Sequence, residues 1–215
     1  MRVDIWSDIV CPWCYVGKRR FETALASFTA DNVEVVHHSF QLNPAAPRGS
    51  TTSRREMLKQ KYSLTDARVD ALDAQMTQIA AEEGLQYRLD MAVTGNTLDA
   101  HQMVHLAHEH RRQDAMVERL YRAYFTEGRS VFDEDSLVEL AGDVGLDRDT
   151  ARAALEDERY VTAVREDIEA ARRLGVTGVP FFVIDGRYGI SGAQPSATFL
   201  EALTAAAAEQ PATER

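Results

Sequence analysis

Cys11 and Cys14 are the only cysteines in a chain of 215 residues, and they stand as a C-x-x-C pair around Pro12 and Trp13. Such a pair can form half of a zinc site, exchange disulfides, or pack as two core thiols. A structural zinc site wants four ligands, commonly a second C-x-x-C, and none follows. His101, His105 and His108 share one helical face at i, i+4 and i+7, but histidines on a polar helix are ordinarily solvated side chains, so no metal is assigned. A chain this long buries a sizeable core without disulfide staples, which makes scaffolding a weak use for the pair. Redox chemistry is the leading reading, with two buried core cysteines as the bland one.

The flanking pattern supplies the position that redox chemistry needs. Residues 2–6 alternate apolar and polar as a short strand would, delivering the chain to the cysteines. Pro12 suits a first helical turn, where its missing N–H costs nothing. Tyr15, Val16, Phe21, Ala24, Leu25 and Phe28 then recur at helical spacing, predicting a helix that ends near Asp31 and Asn32. Cys11 would sit at the start of that helix, where unpaired N–H groups and the positive end of the dipole favour a thiolate. Cys14, one turn on, would resolve the mixed disulfide that Cys11 forms.

Beyond this helix, residues 33–40 read as a second strand, stopped by a loop with Pro44, Pro47 and Gly49. Residues 53–174 are helical almost throughout, with N-caps expected at Thr65, Thr97, Asp133 and Asp147 and breaks near Gly84, Gly95, Gly128, Gly145 and Gly175. Strand character returns at 180–184, turns at Asp185 and Gly186 into 188–191, and a helix over 195–208 closes the chain. The economical division is a discontinuous domain of residues 1–48 and 175–208, an inserted helical domain of 49–174, and a flexible tail of 209–215. Leu72, Met76, Ile79, Met103, Leu106, Leu120 and Phe125 are expected to form the insert's core, and the groove between the two parts is the expected binding site.

Composition narrows the partners. A net charge of −10 and a pI near 5.1 disfavour nucleic acid and anionic membranes. The apolar runs are too short to span a bilayer, and residues 1–6 lack the features of a secretory leader. A cytoplasmic protein in a thiol-reducing compartment is expected.

The segment from Ser7 through Cys11, Cys14 and Gly17, the Phe40-Gln41-Leu42-Asn43-Pro44 stretch, the run from Gly175 through Val179 and Pro180 to Ile184, and Ile190 to Pro195 together resemble the DsbA-like thioredoxin-fold proteins, and within them the FrnE-type subgroup. The resemblance spans essentially the whole chain. It implies an α/β thioredoxin fold with a large all-helical insertion domain, and a cis Val179–Pro180 bond facing Cys11. It also implies a thiol-disulfide oxidoreductase or isomerase with Cys11 as nucleophile, Cys14 as resolving thiol, and Pro12, Trp13, Val179 and Pro180 against the substrate. The substrate would be a protein or small molecule bearing a thiol or disulfide. No cofactor is implied beyond the cysteine pair, with glutathione as a candidate reductant or co-substrate and a homodimer as a candidate assembly.

Relatives of the fold include glutathione-linked isomerases and transferases such as 2-hydroxychromene-2-carboxylate isomerase, whose pattern carries serine where this chain has Cys11. That branch is the alternative function, and a redox-inactive binding module is a third. Asn96, Thr97, Ala100 and His101 resemble cleft residues of both branches, capping by Thr97 being the plainer role. Asp8 could take the Cys14 proton or simply serve its loop. Trp13 reads as exposed and Trp6 as core. His37 and His38 fall on opposite strand faces and neither is assigned a role.

Overall fold

The computed structural model describes residues 1–29 and 32–209. Strand β1 (Arg2–Ser7) leads through a turn into helix α1 (Pro12–Ser27), and β2 (Glu34–Ser39) returns parallel to β1. After the insert, β5 (Phe181–Ile184) and β6 (Tyr188–Ser191) form a hairpin antiparallel to β1, giving the sheet order β2-β1-β5-β6. Asp185 and Gly186 both take positive φ in the hairpin turn. Helix α9 (Ser196–Ala208) closes the framework.

Alternation along β1 decides which layer lies on each face of the sheet. Val3 and Ile5 point into a core shared with Phe21 and Ala24 of α1 and Phe199 and Leu203 of α9. Trp6 points the other way and packs with Ala171, Val176 and Val183. Ala171 belongs to α8 (Val161–Arg173), the last helix of the insert.

The insert contains α2 (Arg54–Tyr62), α3 (Asp66–Glu82), α4 (Leu98–Glu109), α5 (Gln113–Arg122), α6 (Glu134–Asp143), α7 (Arg148–Glu156) and α8. It is helical as expected except for a two-stranded ribbon, β3 (Thr51–Ser53) against β4 (Val93–Gly95). Each of these strands has three residues, too few to print a period-two pattern on the sequence. Met76, Met103, Leu106, Leu120 and Phe125 lie in the insert's core, with Ile79 packed at its edge. Leu72 instead lines a small surface cavity beside Pro12 and Trp13.

Thr65, Asp133 and Asp147 cap their helices through their side chains. Thr97 does not; the Asn96 Oδ1 accepts from Leu98 N at 2.9 Å instead. Helix α1 stops at Ser27, earlier than its apolar spacing suggested, because Phe28 turns to extended backbone with its N–H on Leu25 O. Of the tail expected to be flexible, residues 210–215 lie outside the described residues.

Candidate active site

Helix α1 begins where the sequence pattern put it. Cys11 is its N-cap residue in extended conformation (φ −86°, ψ 112°), and Pro12 occupies the first helical position. The preceding turn is closed by Cys11 N on Asp8 O at 3.1 Å, and the first helical turn by Cys14 N on Cys11 O at 3.0 Å. The two sulfurs are unlinked thiols; Cys11 is 5 % exposed and Cys14 is 2 % exposed.

The turn is clamped from three sides. The Val179–Pro180 peptide is cis, and the Cys11 thiol lies 3.5 Å from the Val179 carbonyl oxygen. Gly17 permits this approach, since a Cβ there would lie 2.9 Å from the Pro180 Cγ. From the insert, the Tyr87 hydroxyl donates to the Pro12 carbonyl at 2.7 Å. Tyr87 stacks on Phe125 at 4.6 Å, and Tyr15, next to Cys14, stacks on Tyr121 at 4.9 Å. Rings at these separations hold one another in place beyond the area they bury.

Electrostatics bears on the inner sulfur. Burial pushes the Cys14 thiol well above its ordinary pKa, and the adjacent Cys11 sulfur adds to the effect. The same surroundings push the Tyr87 and Tyr121 hydroxyls upward, burial again first and the charge of the cysteines second. The Cys14 proton is therefore held until a neighbour can take it, while Cys11 lines an open groove.

Asp8 is no ordinary loop residue. It is 1 % exposed; one carboxylate oxygen accepts from Leu42 N at 2.7 Å, and the other has no hydrogen-bond partner among the described residues. His101 Nε2, 3.4 Å from that second oxygen, donates to Phe40 O at 2.9 Å. Asn96 bridges the Gln41 side chain and the Ala46 carbonyl at 2.8 Å each. These residues build the loop that borders the groove rather than lining the groove themselves. Only their tertiary partners reveal that, and no local pattern announces it.

The other histidines are occupied elsewhere. His105 faces Asp167 at 3.0 Å, His108 is exposed, and no group of three metal-ligating side chains able to hold an ion occurs among the described residues. His37 faces Asp114, and His38 lies between Asp4 and Asp167.

The groove has a volume of about 340 Å³ and is bordered by Cys11, Pro12, Trp13, Leu42, Leu58 and Tyr62, among others. Trp13 (43 % exposed), Leu42 (43 %) and Tyr62 (56 %) are three of the few large hydrophobics left open to solvent. Grouped apolar exposure of this kind marks a binding surface. Of the six residues expected at the site, Cys11, Pro12 and Trp13 line the groove, Cys14 lies behind them, and Val179 and Pro180 lie beside the Cys11 turn without lining the groove.

No helix of the described residues is long and apolar enough to cross a membrane. The chain matches the DSBA-like thioredoxin domain model over residues 2–204. It is 47 % identical to a probable DsbA oxidoreductase from Streptomyces coelicolor, covering 100 % of this chain and 93 % of that one with a TM-score of 0.95. It shares its fold with a 2-hydroxychromene-2-carboxylate isomerase at 18 % identity (98 % and 97 % covered, TM-score 0.71). The same holds for the cytosolic disulfide reductase DsbM from Pseudomonas aeruginosa at 22 % identity (95 % and 99 % covered, TM-score 0.66). With a family model matched over nearly its whole length, the chain belongs to the DSBA-like thioredoxin domain family.

Proposed function

We propose that the protein is a thiol-disulfide oxidoreductase that exchanges disulfides through Cys11 and Cys14. The observation that carries this is their unequal setting: Cys11 caps α1 at the groove wall, and Cys14 sits one turn behind with its thiol held protonated by burial. The Cys11 thiolate attacks one sulfur of a substrate disulfide, the S–S bond breaks, and the departing thiolate takes a proton. Cys14 then gives up its proton, for which the unpartnered oxygen of Asp8 is the nearby acceptor, and attacks the Cys11 sulfur. The second substrate thiol leaves, and the pair is a disulfide. Run in reverse, the same steps oxidise a dithiol.

Insulin-disulfide reduction by wild type, Cys11→Ala and Cys14→Ala tests the assignment. Cys11→Ala is expected to be inert, and Cys14→Ala to accumulate a mixed disulfide through Cys11 that mass spectrometry detects. Full turnover by Cys11→Ala would overturn the reading.

The small volume of the groove favours one rival, a glutathione-linked isomerase or transferase of small aromatic substrates. Activity toward such a substrate that survives Cys11→Ser, with Cys14→Ser silent, would select it. Glutathione as reductant or co-substrate fits either reading, and a cytoplasmic setting fits a pair that must be returned to the thiol state.

A further inference from the structure

Three cavities meet around α2. The groove at Cys11 shares Asn43, Met57, Lys61, Thr94 and Gly95 with a second cavity of about 520 Å³, and Pro12, Trp13, Arg54 and Leu58 with a third of about 170 Å³. None of the three linings contains a carboxylate, although the chain has 34 acidic residues against 24 basic ones. The contrast with the neighbouring hollow between α2 and α3 is sharp, for that one is lined by Asp70, Asp73 and Asp90.

The charges the connected cavities do contain are Arg54 and Lys61. Arg54 is already neutralised by an ion pair with Asp73. Lys61 has no ion pair among the described residues; its ammonium lies 5.5 Å from the ring of Tyr62. A molecule of net charge −10 repels anions at long range. A passage cleared of carboxylates, with one uncommitted cation, makes a local exception to that repulsion.

We infer that the groove selects low-molecular-weight disulfides and thiols that carry a carboxylate, read by Lys61, with their apolar part lying on Trp13, Leu42 and Leu58. This rests on the redox reading above. The volume lies in the range of small-molecule sites. Lys61 is solvent-exposed, so its pull is screened by salt.

The test uses two short aliphatic disulfides of opposite charge, 3,3′-dithiodipropionate and cystamine, on the reduced full-length protein. Each disulfide R–S–S–R takes two electrons from the protein dithiol and leaves two R–SH and one Cys11–Cys14 bond, which thiol titration and mass spectrometry follow. Because the two leaving thiols differ in acidity, each rate is divided by the rate of the same disulfide with free 2-mercaptoethanol. At about 0.15 M ionic strength, where a Debye length of about 8 Å confines the repulsion by the net charge but not contact with Lys61, the normalised rate is expected to favour the dicarboxylate about fivefold, a preference that collapses at about 1 M salt. Lys61→Gln should shrink the preference and Lys61→Glu should invert it. A ratio that is the same in wild type and Lys61→Glu overturns charge selection alone. A wild type whose cysteines are linked by neither reagent overturns the redox reading, and this inference with it.

Discussion

At the scale of single residues, the site depends on close approach as much as on sulfur. Gly17 lies inside α1, where alanine would ordinarily be preferred by about 1 kcal/mol. Here the added Cβ would meet the Pro180 Cγ at 2.9 Å and the Ala193 Cβ at 3.4 Å, and neither a proline ring nor an alanine methyl is the far end of a flexible side chain that can swing aside. Overpacking of this kind costs about 1–3 kcal/mol, enough to outweigh the propensity gain. Gly17→Ala should therefore lower the melting temperature and slow disulfide exchange by moving the proline loop off Cys11. A variant as stable and as fast as wild type would show that the contact relaxes freely. Tyr87→Phe removes the hydroxyl that holds the Pro12 carbonyl, and is expected to cost about 1 kcal/mol in chemical denaturation. The cysteines, Pro12, Trp13 and the proline loop were legible because their signals are local strings. Tyr87, Asp8 and His101 were not assigned their contacts, since each meets its partner across a long stretch of chain: Tyr87 is 75 residues from Pro12, and His101 is 61 from Phe40.

At the scale of elements, the docking of α8 on the sheet turns on one carboxylate. Asp167 accepts from His38 Nδ1 at 2.6 Å and Ser39 N at 2.8 Å, and lies 3.0 Å from His105 Nε2. Burial pushes its pKa up, but the bonds from His105 and His38 outweigh that and hold it well below the usual carboxylate range. Burial pulls His38 down, and its bonds to Asp167 and Asp4 more than reverse the effect, so its net shift is upward. A depressed Asp167 stabilises the fold above about pH 3.9, its unfolded value, and that contribution is lost as pH falls through the folded one. A raised His38 stabilises below about pH 6.5 and loses its contribution as pH rises through its elevated folded value. Asp167→Asn, which leaves Asp4 as the one carboxylate on His38, should cost about 2 kcal/mol. The gap in melting temperature between wild type and variant should be wider near pH 6 than near pH 9. Equal gaps would mean that His38 is not charged in the fold. The sequence marked His38 only as one side of a strand, because a partner 129 residues away leaves no trace in a local pattern. It marked α1 through its apolar spacing and the starts of α3, α4, α6 and α7 through their N-cap positions, ran α5 and α8 into the helices before them, and missed β3 and β4, whose backbone pairing is their whole identity.

At the scale of the whole molecule, the boundary drawn from sequence between framework and insert does not divide the interior in two. Ile9, Cys11, Cys14, Tyr15 and Val16 pack in the same core as Tyr87, Met103, Tyr121 and Phe125 of the insert. Helix α1 spans both cores, with Phe21 and Ala24 buried against the sheet and α9. On the opposite face of the sheet, Trp6 stacks on His38 at 4.5 Å and its indole N–H donates to Asp167 O of α8 at 3.0 Å. Losing the insert would strip the active-site turn of its packing, and losing the sheet would expose α8. The two parts should therefore unfold as one cooperative unit. Trp6 reports the sheet and α8, and replacing Trp13, the other tryptophan, with Phe leaves it as the sole tryptophan, excited selectively at wavelengths where tyrosine does not absorb. Far-UV circular dichroism reports chiefly the helices, most of which lie in the insert. Urea transitions followed by the two signals in the Trp13→Phe protein are expected to coincide in midpoint and slope. Helical signal persisting beyond the loss of native Trp6 fluorescence would instead mark the insert as a domain that folds alone, and the Cys11 turn as something it supports only when docked.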